Sequence, residues 1–207
     1  LAWGVLVPIA ILWARFFKIA PKQKWPEELD NKVWWRSHYI TQSVAALIMV
    51  FSIYLVWAPA GESDIAWLHR FIGWTLTAFC ATQIIAGATR GSKGGPTDPK
   101  GRMFGDHFDM TPRRLMFEYL HKTLGYTSLA LSWFTIYLGM WIANGPRWMF
   151  ISITIWFLML MTLFIILQKR GMALDTYQAI WGPDPNLPGN QRRPIGPGYR
   201  RYTENRR

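Results

Sequence analysis

Five stretches of this chain are too long and too apolar to be surface loops: residues 1–17, 34–57, 65–88, 115–143 and 146–167. Each approaches or exceeds the roughly 20 apolar residues that a helix needs to cross a bilayer. In hydrocarbon the backbone must satisfy its own hydrogen bonds, and at this length a helix does so. The charged residues read as lying between these runs rather than within them, and half of the 207 residues are apolar. The sequence therefore predicts an all-α integral membrane protein with five transmembrane helices, residues 1–170, and a basic Pro/Gly-rich tail, 171–207.

The basic residues set an orientation. Lys18, Lys22, Lys24 and Lys32 lie between the first two spans, with Arg15 and Arg36 at the span ends that flank this loop, and Arg90, Lys93, Lys100, Arg102, Arg113 and Arg114 lie between the third and fourth. The loop between the second and third spans carries Glu62 and Asp64 and no Lys or Arg, and Asn144-Gly145-Pro146-Arg147 carries one basic residue. Short loops rich in Lys and Arg stay on the cytoplasmic side. The amino end is thus predicted outside, periplasmic or luminal, and the tail cytoplasmic. The net charge of +11 reads as a topology signal first, and second as an attraction for anionic lipid or an acidic partner. Nucleic acid is a poor partner, because the sequence offers no folded basic domain. The opening segment lacks the basic leader and cleavage site of a signal peptide and is read as a span that Pro8 kinks.

Within the apolar runs the chain repeats itself. His69-Arg70-Phe71-Ile72-Gly73-Trp74-Thr75 returns as His121-Lys122-Thr123-Leu124-Gly125-Tyr126-Thr127, and Gly87 returns as Gly139. Glycines four and eighteen residues after a histidine share its helix face. Each helix thus presents an imidazole, a bare backbone patch beside it and a second patch about 27 Å further on. The second span carries His38 with Gln42 on the same face. Parity puts His38 and His121 at one level near the inner surface and His69 near the outer surface, so the repeat is inverted across the membrane, as in transporter folds. Gly87 then falls at the inner level and Gly139 at the outer one, so each helix is thin where the other carries its histidine. A flat, bulky, metal-centred cofactor needs that combination of imidazole and clearance. Haem is favoured over a single ion, which needs no flat clearance.

These residues resemble the cytochrome b561 family, in particular the five-helix module that follows DOMON domains. The likeness runs from residue 1 to about 167, through Ala2-Trp3-Gly4 to Pro8 and Ala14-Arg15-Phe16, His38-x-x-x-Gln42, His69-Arg70-x-x-Gly73, His121-x-x-x-Gly125 and Tyr137-Leu138-Gly139. It implies a bundle of the first four helices around one or two b-type haems, with His38 paired to His121, and His69 paired to a histidine that would precede Leu1. It also implies electron transfer across the membrane, from a small reductant such as ascorbate or a quinol. On that reading the protein is an electron carrier, and an oxidoreductase if it has its own donor.

Other residues carry weaker expectations. Arg70 and Lys122, next to ligand histidines, are candidates for pairing with haem propionates or for snorkelling to the interface. His107 reads as a solvated loop histidine, and Cys80 stands alone. Trp34, Trp35, Trp57, Trp67, Trp141 and Trp148 read as an aromatic belt. The loop 91–101 reads as flexible and cationic, attractive to an anionic donor or to lipid headgroups. The tail has a composition unsuited to a core and reads as disordered or laid along another subunit. Two other function classes remain open here: an accessory subunit of a larger membrane redox or photosynthetic complex, with one haem or none, and a transporter built on the repeat.

Overall fold

A computed structural model of the chain describes residues 1–56 and 64–202. The regular elements among them are all helical, with no strand beyond an isolated bridge between Leu174 and Arg200. A π-helical turn, Ala2–Leu6, leads into α1 (Val7–Phe16); α2 (Val33–Leu55), α3 (Asp64–Ala88), α4 (Pro112–Ile142) and α5 (Arg147–Lys169) follow, and a short α6 (Thr176–Trp181) lies in the tail. Pro8 lacks a backbone donor, and the widened turn before it is where the helix accommodates that loss.

Three helices, α2, α3 and α5, are long and apolar enough to cross a membrane. Their outward side chains are large and bare, among them Leu47, Phe51 and Tyr54 on α2, Phe71, Ile84 and Ile85 on α3, and Ile155 and Leu158 on α5. Such continuous exposed apolar surface suits lipid rather than water. The opening segment is helical over 2–16 and shorter than these three. Helix α4 is the longest, but its first third carries Arg113, Arg114, Glu118 and Lys122. The sequence reading of charges kept outside the apolar runs fails there: Arg114 and Glu118 are buried.

Packing divides the bundle into two helix pairs. Helix α1 and the opening turn pack on α2, while α3 packs along α4; α5 lies against α1 and α4. Between α2 and the α3/α4 pair close backbone approach is nearly absent among the described residues. Antiparallel α3 and α4 are locked in register by two side chains. His69 Nδ1 lies 3.0 Å from the Thr135 carbonyl oxygen, and Gln83 Nε2 donates to the His121 carbonyl at 2.8 Å.

One apolar core joins Leu12 and Phe16 of α1, Phe157, Leu160 and Leu167 of α5, and Ala173. A second is built outside the long helices, from Met110, Tyr177, Ile180, Trp181 and Ile195, with Trp34, Phe108 and Leu115 against it. The described part of the tail is therefore folded, not disordered: α6 lies on the 91–112 loop and on the ends of α2 and α4. The loop too departs from the flexible reading. Asp98 accepts hydrogen bonds from the amides of Gly94 and Lys100, and Asp106 from the amide and hydroxyl of Ser92 and from the Thr111 hydroxyl. Gly91 and Gly94 take positive φ so that the chain can close tightly on Asp106 and Gly105.

Among the tryptophans, Trp67, Trp141 and Trp148 are exposed at helix ends as a belt requires. Trp34 instead packs on the tail core, and Trp35 stacks on Tyr39 beneath the Arg90 guanidinium. Trp57 and Glu62 lie outside the described residues.

Candidate functional site

The site begins with two facing imidazoles. His38, one turn and a half into α2, and His121 of α4 have ring centroids 6.0 Å apart, with ring planes at 76°. Two imidazoles bound on opposite sides of one metal, with metal–nitrogen bonds of about 2.0 Å, place their ring centres roughly 6 Å apart. His38 Nδ1 lies 3.0 Å from the Ala10 carbonyl of α1. With its proton on Nδ1 donated to that carbonyl, the ring presents a bare Nε2, the second-sphere arrangement that orients metal-bound histidine. His121 stacks on Phe117 at 5.2 Å, and its buried Nδ1 has no hydrogen-bond partner.

The donor set narrows the kind of group that fits. No cluster of three or more His, Cys, Asp or Glu able to hold a metal occurs among the described residues. Two imidazoles alone suit a metal that brings its own equatorial ligands, as haem does. Glycine clearance points the same way. A Cβ on Gly87 would meet nothing within 4 Å, and the same holds for Gly73 at the other end of α3. Gly87 follows Gln83 by one turn, on the face that Gln83 turns towards the His121 backbone. Gly125 has only the Gln83 amide near it, at 3.6 Å from a Cβ. Gln42 is half-buried one turn beyond His38.

His69 occupies the opposite end of the α3/α4 pair. Its Nδ1 lies 3.0 Å from the Thr135 carbonyl and 3.1 Å from the Thr135 hydroxyl. Gly139 gives it room, since a Cβ there would fall 2.8 Å from His69 Cε1. The thin place on α4 thus lies at the His69 level, as the repeat requires, and here the ring itself fills it. Neither His38 nor His121 is brought to His69.

Around the His121 end lies a charge network that the sequence reading missed. Glu118 pairs with Arg114 at 2.6 Å and with Lys122 at 2.7 Å, and Lys122 also donates to the Ile195 carbonyl of the tail. A propionate role for Lys122 must therefore compete with an existing pair, whereas Arg70 is exposed. Arg15 donates to the Tyr126 hydroxyl, to Gln168 Oε1 and to the Pro197 carbonyl. Lys18 donates to the Arg15 and Leu174 carbonyls. The Tyr199 ring lies within 5 Å of Arg15, Lys18 and Lys122. Burial pulls the Lys18 ammonium down to about 7, with the Lys122 charge pushing the same way.

His107 is the largest correction to the sequence reading. It is 7% exposed rather than solvated, packed edge-on against Tyr177 and Trp181, with Nε2 unpartnered. Burial, reinforced by Arg114, holds it neutral well below the usual imidazole range. A signal for this lay in the tail: Leu174, Tyr177, Ile180 and Trp181 recur on one face at helical spacing, and Gly182 with positive φ ends the helix. Comparison of the chain with known protein families, with curated proteins and with solved structures finds no match.

Proposed function

We propose that the protein is a membrane cytochrome that moves single electrons through b-type haem, the first held between His38 and His121. The observation that carries this reading is the 6.0 Å spacing of the two rings. When bound, haem supplies a one-electron iron couple whose potential is set by its ligands and its burial. His38 and His121 would hold the group; the Ala10 carbonyl fixes the His38 ring, and the Gln83 amide ties α3 to the His121 backbone. Five spans, with the amino end outside and the tail inside, place this pair towards the cytoplasmic surface. Ascorbate or a quinol is the expected class of donor. A second haem would use His69, already oriented by Thr135 and Gly139, together with the histidine that the cytochrome b561 likeness places before Leu1.

The second reading, an accessory subunit of a larger redox complex, draws on the tail, which offers Arg192, Arg193 and Arg200 at its surface. A vesicle assay separates the two. The purified chain in liposomes loaded with ferricyanide is expected to pass electrons from external ascorbate to the trapped acceptor, and His121→Ala is expected to stop it. Equal rates in protein-free liposomes would leave the accessory role.

A further inference from the structure

Between the tail and the start of α4 lies a small cavity, about 10 Å³, lined by His107, Glu118, Lys122, Asp175 and Tyr177, with Arg192 and Arg193 exposed at its mouth. That volume suits one water, which needs two to four polar partners, and the lining offers them. His107 Nε2 is fully buried without a partner. An imidazole of this kind is costly to bury unless the missing partner is a water or an arriving proton. Three other polar groups on this floor have partners: Glu118 pairs with Arg114 and Lys122, Lys122 also with the Ile195 carbonyl, and the Tyr177 hydroxyl with the Phe108 carbonyl.

We infer that His107 is a proton-loading site for the redox centre at His38 and His121. One proton from the aqueous mouth binds His107 Nε2 for each electron that enters, and returns to water when the electron leaves. The step balances: for each electron that a one-electron donor would deliver to the centre, the His107 imidazole takes one proton from water, and it gives that proton back to water when the electron leaves. The inference rests on the haem reading above. Its physical basis is charge compensation. An electron entering the low-dielectric end of the bundle removes a positive charge there, and this favours protonation of a nearby neutral base.

The groups that face His107 bracket its affinity for that proton. Arg90 and Lys93 of the loop and Arg114 and Lys122 of α4 oppose it; Glu118 and Asp175 favour it. Arg192 and Arg193 oppose it from the mouth, and Tyr177 packs on the ring as a neutral phenol. Burial disfavours the charged ring and the cations around it outnumber the carboxylates, so the ring rests neutral until the electron arrives.

The test is a spectroelectrochemical titration of the purified full chain at a series of pH values, with proton uptake on reduction followed by an indicator dye. The wild type is expected to show a pH window in which the redox equilibrium changes towards tenfold per pH unit, about 59 mV for one electron, with up to one proton taken up. His107→Gln is expected to flatten that window while keeping the haem spectrum. Should His107→Gln not fold, the Arg192→Gln/Arg193→Gln double variant serves: it removes opposing charge and is expected to move the window to higher pH. A flat wild-type potential, or a slope that persists in His107→Gln, or an unmoved window in the double variant, overturns the inference with the haem reading intact. Absence of a haem spectrum from the wild type overturns both, at the first step. An independent readout is the haem-free chain, in which the His107 imidazole is expected to titrate below its ordinary range by NMR; an ordinary titration would count against the site.

Discussion

The two copies of the repeat begin with the same words and end in different surroundings. At His121, the histidine faces a second imidazole from another helix, and its helix turn is embedded in ion pairs and covered by the tail. At His69, the ring is held among the described residues by the neighbouring helix, through the Thr135 carbonyl and hydroxyl and the bare backbone at Gly139. The local motif therefore fixes where an imidazole stands and leaves room beside it. What that imidazole meets is decided by elements far away in sequence, α2 and the tail at His121 and the far end of α4 at His69.

The largest expected effect breaks this comparison at the ligands. His121→Ala should lower haem affinity by 100-fold or more, since removing even groups that only support a ligand costs 10–100-fold. His69→Ala should leave affinity at the His38/His121 site within about twofold, as measured by haem titration of the purified chain. Equal losses would show that the two ends are one site.

Next comes the buried network. Glu118→Ala leaves Arg114 buried and Lys122 half-buried without their carboxylate, a change expected to cost about 3–5 kcal/mol, read as a fall in thermal unfolding temperature in detergent. Arg70→Ala, at the exposed His69 end, is expected to change stability by less than about 0.5 kcal/mol.

Smaller still is the contrast between glycines. Gly139→Ala drives a methyl into the His69 ring and should be about 1–3 kcal/mol less stable than Gly87→Ala, whose methyl meets nothing. In the haem-loaded protein the order of interest reverses: Gly87→Ala should weaken haem binding if the flat group lies over that patch. Unchanged affinity there would mean that Gly87 is a packing notch.

The smallest effects are in pH. His107 is held below its ordinary value, so the unfolded chain binds more protons between the two values. Stability is then full above about pH 6.5 and falls as the pH drops below it. Asp106 behaves differently because its carboxylate is held down to about 2 by the Ser92 amide and the Thr111 hydroxyl. Its contribution is complete above about pH 4 and is lost as pH falls through 2. Unfolding curves of wild type, His107→Gln and Asp106→Asn across pH 2–8 check both signs.

Much of the helical fold was legible because hydropathy and the histidine–glycine repeat are local signals. The α3/α4 register, Gly139 at the level of His69, and the meeting of His38 with His121 all follow from helix parity and spacing. Charge was misread because it was treated as a marker of loops. Glu118 is tolerated inside α4 only because Arg114 and Lys122 fall one turn to either side, which is a spacing visible in sequence but not an environment. The tail was misread from its composition: proline and glycine concealed the Leu174, Tyr177, Ile180 and Trp181 face, whose partner surface, the 91–112 loop, lies some 70 residues earlier. His107 could not be placed without that docking.

The central claim is that His38 and His121 together hold a haem. Haem per polypeptide, by pyridine haemochrome on the chain purified from its native membrane, tests it directly, with His38→Ala and His121→Ala beside the wild type. At least one haem per chain is expected in the wild type, with a low-spin six-coordinate spectrum, and one fewer in either variant. No haem in the wild type, or the same content in all three proteins, would contradict it.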